Sequence, residues 1–75
     1  SGIKKQIIND IRSTIDVLAS GKSLSAKYHD HKLTGYFDGY RECHVRPNLL
    51  LVYQIDHDSL ILILVNIGSH PYLFG

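Results

Sequence analysis

The sequence predicts a small α+β domain: one amphipathic helix packed on a three-stranded antiparallel sheet. Three observations predict it. Apolar residues recur at helical spacing from Ile3 to Ser20, the period changes to two after Tyr40, and short turn-forming connections separate the later runs.

The helix rests on Ile7, Ile8, Ile11, Ile15 and Leu18, with Lys5, Asn9, Arg12 and Asp16 on the opposing side. Gly21 is suited to end it, because a helix often terminates on a residue with a left-handed backbone. Residues 22–38 read mostly as loop, punctuated by Gly35 and Gly39. Tyr40, Glu42, His44 and Arg46 then alternate with Arg41, Cys43 and Val45, as in a strand. Pro47-Asn48 makes a turn into a second strand, Leu49 to Ile55. Asp56-His57-Asp58 connects that strand to a third, Ser59 to Ile67, which Gly68 ends.

The third strand is apolar both ways. Ile61, Ile63, Val65 and Ile67 share one face and Leu60, Leu62, Leu64 and Asn66 the other. One helix covers one face, so a partner, a further segment or a second copy of the chain is expected over part of the other.

At 75 residues the chain is a single domain near the lower edge of independent stability. Its 44% hydrophobic and 20% charged content is that of a globular chain. A net charge of +1 supplies little nonspecific attraction to phosphate, so any nucleic-acid chemistry needs a local site or a larger RNA assembly. A single cysteine excludes an internal disulfide and fits a reducing compartment. No signal peptide is evident, and the run Leu60 to Val65 is too short to span a bilayer. A cytoplasmic protein without membrane association is expected.

Five histidines in so short a chain are the main chemical signal, since imidazole serves as acid or base near neutrality. His29-Asp30-His31 could ligate zinc, but zinc sites need about three or four protein ligands, and a polar loop with one functional histidine is the expectation. His44 and Arg46, two apart on a strand, are expected on one face, where imidazole and guanidinium together suit phosphate chemistry. A solvated strand face would look the same. Gly68-Ser69-His70 places a histidine where the chain leaves the sheet, and Phe74 suits either base stacking or anchoring of the tail. Cys43 is expected to be a buried, inert thiol.

The order and spacing of several segments resemble YafQ-type toxins of the RelE superfamily. Tyr28-His29-Asp30-His31-Lys32-Leu33-Thr34-Gly35 is similar to their DH-x-L-x-G segment. Gly39-Tyr40-Arg41-Glu42-Cys43-His44-Val45-Arg46-Pro47-Asn48 is similar to G-Y/F-R-E/D-C/A-H-[VI]-x-P-D. Leu50-Leu51-Val52-Tyr53, and Gly68-Ser69-His70 with Leu73-Phe74, complete the pattern. The resemblance implies a ribosome-dependent endoribonuclease that cuts mRNA in the A site without a metal or other cofactor, and that a cognate antitoxin neutralises. It implies His31, His44 and His70 as catalytic histidines and Phe74 as a C-terminal aromatic on the RNA. Arg41, Arg46, Asn48 and Asn66 fall at positions suited to phosphate or RNA contact.

Departures from the pattern are informative. Asn48 stands where many members carry aspartate, and Asn66 where a catalytic arginine is common. Losing one transition-state donor lowers rate by about two to three powers of ten, and Arg41 or Arg46 is the expected substitute, Arg46 being the better candidate because it is expected on the face of His44. The chain begins where the family's second helix begins, so the usual first strand and helix are expected to be absent and self-association to follow. Two readings stay open: an attenuated endoribonuclease, and a catalytically weak toxin-fold module that binds an antitoxin.

Overall fold

The computed structural model describes residues 2–66. Helix α1 spans Gly2–Ala19 and buries Ile7, Thr14 and Leu18, residues seven and four apart on one face. Lys5, Asn9, Arg12 and Asp16 are exposed, as the periodicity predicts. The buried stripe is narrower than the apolar one: Ile8 is 52% exposed and Ile3 50%. Gly21, with φ of 79°, ends the helix. Its N–H donates to the Leu18 carbonyl and that of Lys22 to the Val17 carbonyl, the paired bonds of a Schellman cap.

Residues expected to be loop carry more order than the sequence suggests. One-turn 3-10 segments form at Ala26–Tyr28 and Gly35–Phe37. Between them lies a two-residue strand, β1, His31–Lys32. It pairs with β2 (Arg41–Arg46), which pairs with β3 (Leu49–Asp56), which pairs with β4 (Ser59–Asn66), all antiparallel. Among the described residues the sheet therefore has four strands in the order β1-β2-β3-β4, one more than expected. The β3–β4 turn is His57-Asp58, both with positive φ (48° and 68°). That geometry matches the right-handed twist of the flanking strands.

The register assigns the faces. Arg41, Cys43, Leu49, Leu51 and Tyr53 belong to the side that α1 covers. There Leu18, Cys43, Leu51 and Tyr53 form the core, with Ile15, Leu24, Tyr28, Val45 and Leu60 packed around them. The other side carries His31, Glu42, His44, Leu50 and Val52 in paired positions. Beyond them on that side, Ile61 and Ile63 of β4 are each 40% exposed. Among the described residues, no helix is long and apolar enough to cross a membrane.

Candidate active site

Strand β2 positions the candidate site, and its irregularity decides the geometry. His44 lies opposite Leu50 and Arg46 opposite Leu49, with the register shifting between them. Leu49 and Leu50 are adjacent on β3 and face opposite ways. The alternation expected to hold His44 and Arg46 on one face is therefore broken by a bulge at Val45. Arg46 turns to the helix side, where its Nη2 and Nε lie 2.8 and 2.9 Å from Asp10 Oδ2. Both residues still border one cavity of about 470 Å³, shared with Asp10, Lys27, Tyr28 and His29.

The tripeptide His29-Asp30-His31 divides its three side chains among different tasks. Asp30 turns inward. Its Oδ1 accepts from Arg41 Nε at 2.6 Å and its Oδ2 accepts from the Tyr53 hydroxyl. Arg41 and Tyr53 are themselves paired across β2 and β3, so one carboxylate ties the loop to two strands. The hydrogen bond with Asp30 raises the Arg41 pKa against the opposing effect of burial. Burial pushes the Tyr53 phenol up, and its bond to Asp30 adds to the rise. Both groups hold their protons throughout the physiological range.

The flanking histidines point elsewhere. His29 adopts a left-handed backbone (φ 49°), and its ring makes an edge-on contact with that of His44, centroids 5.7 Å apart. His31 lies across from Glu42, with Nε2 3.2 Å from Oε1. Its Nδ1 lies 2.7 Å from the His29 carbonyl oxygen; a carbonyl only accepts, so Nδ1 carries a proton. Both ring nitrogens of His31 thus lie beside acceptor oxygens. A larger cavity of about 650 Å³ lies on the clamp side, bordered by Leu18, Leu24, Asp30, Arg41 and Tyr53. His29 and His44 border the smaller one.

Sequence comparison decides the family. Residues 2–75 match the family model described as the bacterial toxin of type II toxin–antitoxin system, YafQ. This chain belongs to the YafQ toxin family. The mRNA interferase toxin YafQ of Escherichia coli K12 is 40% identical over 52 residues, covering 69% of this chain and 54% of that protein. The chain thus spans about half the length of that curated relative. A copper-bound mutant toxin from Helicobacter pylori superposes with a TM-score of 0.68 at 35% identity, covering 93% of this chain and 83% of that one. The Escherichia coli DinJ–YafQ complex gives 0.64 at 32% identity, covering 91% of this chain and 74% of that one. The α+β architecture is that of the YafQ toxins.

Set on this YafQ-family fold, the residues singled out from sequence fall in different places. His31 and His44 share the sheet face opposite α1, with Glu42 between them in register. Arg41 is engaged by Asp30 on the helix side, away from the His44 imidazole, and Asn48 is exposed in the β2–β3 turn. Asn66 pairs with Leu49, which also pairs with Arg46. The backbones of Asn66 and Arg46 therefore stand in one cross-strand row, two strand spacings or roughly 10 Å apart. His70 and Phe74 lie outside the described residues; His31 and His44 share a sheet face, but of the two only His44 borders the smaller cavity.

Sequence reasoning gave no role to Glu42, Asp10 and Tyr53, and weighed His29 only as a zinc ligand. Glu42 lies inside the quoted β2 motif, and its even spacing from His44 was the available signal. Nothing local marks the partners of Asp10 and Tyr53, which are 36 and 23 residues away. Cys43 is fully buried, and burial first, then the nearby Asp30 and Glu42 carboxylates, push its thiol up to about 11. It is the inert thiol expected. Among the described residues, no group of three or more His, Cys, Asp or Glu side chains is placed to hold a metal ion.

Proposed function

We propose that this chain is the toxin of a type II toxin–antitoxin pair, a cytoplasmic endoribonuclease that cuts mRNA in the ribosomal A site by metal-independent histidine catalysis. The observation that carries it is the placement of His44 in a cavity rimmed by Arg46 and Lys27, with His31 and Glu42 beside it on the same sheet face. The ribose 2′-oxygen attacks phosphorus, the bond from phosphorus to the 5′-oxygen breaks, and a 2′,3′-cyclic phosphate and a 5′-hydroxyl result. One imidazole takes the 2′-hydroxyl proton and an imidazolium returns one to the 5′-oxygen. His31, His44 and His70 are the groups assigned to this proton traffic, with Phe74 stacking on a base and Arg46 beside the charge that grows on phosphate.

A cognate antitoxin is the proposed protein partner, supported by the likeness to YafQ in its complex with DinJ. The decisive experiment adds the purified chain to a translating extract and maps mRNA ends. Cleavage at codon-aligned positions that His44→Ala abolishes supports the reading, and elemental analysis of the active protein tests its independence from metal.

Asn48 and Asn66 favour a second reading, a weak or silent toxin fold that still captures an antitoxin. Under it the parent leaves mRNA intact while antitoxin binding persists.

A further inference from the structure

We propose that His29 and His44 form a two-imidazole subsite for one phosphate group of single-stranded RNA, His29 being a substrate-contacting residue to which the family resemblance gives no role. The RNA assignment rests on the ribonuclease reading; the phosphate subsite rests on geometry alone.

His29 is held as a working side chain is held, although it sits on a loop. Its N–H donates to the Ala26 carbonyl at 3.1 Å. Its own carbonyl accepts from His31 Nδ1. The next residue, Asp30, is clamped by Arg41 and Tyr53. These anchors keep the backbone in its left-handed turn, and the turn aims the ring at His44. With centroids 5.7 Å apart and planes at 76°, the rings touch edge to face. One tetrahedral group at their shared rim can reach a nitrogen of each.

The surroundings select an anion with several acceptor oxygens. Among the described residues, Lys27 and Arg46 line the cavity against a single carboxylate, Asp10. The Asp10 pair uses Nε and Nη2 of the guanidinium, so the Nη1 edge is not taken by that carboxylate. Lys27 Nζ lies 5.2 Å from the Tyr28 ring centroid at the same cavity. Imidazole N–H groups and a guanidinium edge are all donors, and a phosphate can accept from them at once where a planar carboxylate has fewer positions to offer. Two cationic side chains beside the histidines oppose a metal ion in this place.

The test follows the imidazole NMR signals of the whole chain during titration with inorganic phosphate, then with a ribodinucleoside monophosphate. His57, on the hairpin turn with its side chain 95% exposed, is the internal control. His29 and His44 should move together with one dissociation constant while His57 stays still, and the dinucleotide should bind more tightly than phosphate. His29→Gln should weaken phosphate binding at least tenfold with the remaining spectrum unchanged. Movement of His44 without His29, or of His57 equally with both, overturns the subsite; equal affinity for the two probes overturns its assignment to RNA. A parent that leaves mRNA uncut yet shifts both rings removes the ribonuclease reading and keeps the subsite. A His29→Gln chain with undiminished cleavage and phosphate affinity does the reverse.

Discussion

The Tyr53 hydroxyl donates to Asp30, reaching from the centre of the sheet to a loop residue 23 positions earlier. Asp30 is 16% exposed at its side chain and Arg41 is 39% exposed. The Tyr53 arm therefore lies in the drier half of the clamp, and solvent screens the Arg41 arm. Tyr53→Phe should lower unfolding free energy by about 1–2 kcal/mol, and Asp30→Ala by about 3 kcal/mol because it orphans both donors. Urea denaturation followed by circular dichroism measures both. If Asp30→Ala proves no worse than Tyr53→Phe, the clamp does not act as a unit.

The helix and the three long strands were legible because their patterns are local and repeated. Ile7, Leu18 and the β3 run Leu49 to Tyr53 are where periodicity places them. Ile8 misled, because an apolar stripe wider than the contact leaves its margin in water. Strand β1 has two residues, too few to show any period. The bulge at Val45 was invisible for a different reason: it is a mismatch between two strands, and neither strand alone records it. It is also what separates Arg46 from His44, so the largest misreading of the site came from pairing rather than from residue type. Asp30 was in view throughout, yet its partners Arg41 and Tyr53 are chosen by tertiary contact.

Alkaline pH should weaken the fold through Cys43. Its thiol titrates at about 11 in the folded chain against an ordinary value of 9.0. Between those values the folded state binds the proton that the unfolded state has lost, so stability falls as pH rises through the window. The stabilisation is fully present below about 9, and the loss is at most about 3 kcal/mol for two units of pH. Stability of the parent should drop more steeply from pH 9 to 11 than that of Cys43→Ala. Identical slopes would mean that the thiol does not contribute. In the native chain at pH 8, alkylation of Cys43 should be far slower than in urea, in keeping with its burial.

Activity should depend on His70 and respond to position 66. His70→Ala should reduce ribosome-dependent cleavage by about two powers of ten or more, the scale of a general acid–base group, with folding nearly intact. Wild-type rates in that variant would remove His70 from the mechanism. The backbone of Asn66 stands in the same cross-strand row as that of Arg46, and arginine is the residue expected there from the family pattern. If the parent is silent, Asn66→Arg should restore measurable cleavage. Silence in both would favour the antitoxin-binding reading.

The 75-residue chain should self-associate through β4. This strand is last in the order β1-β2-β3-β4, and β3 is its neighbour among the described strands. A strand edge with unpaired N–H and C=O groups is a template for another strand. Its side chains strengthen that tendency: Ile61, Leu62 and Ile63 are each exposed by about two fifths, on both faces in turn. Ile3 and Ile8 add exposed apolar area on α1. A domain this small has only a few kcal/mol of stability to spare, so burying such residues between two copies would be a large gain. A two-fold dimer is the expected form, since a closed symmetric contact buries the same patch twice and leaves no edge to propagate. Sedimentation equilibrium over a concentration series should show the dimer, and Leu62→Lys should shift it toward monomer without unfolding the chain. A stable monomer at high concentration would show that β4 is not an association edge in this chain.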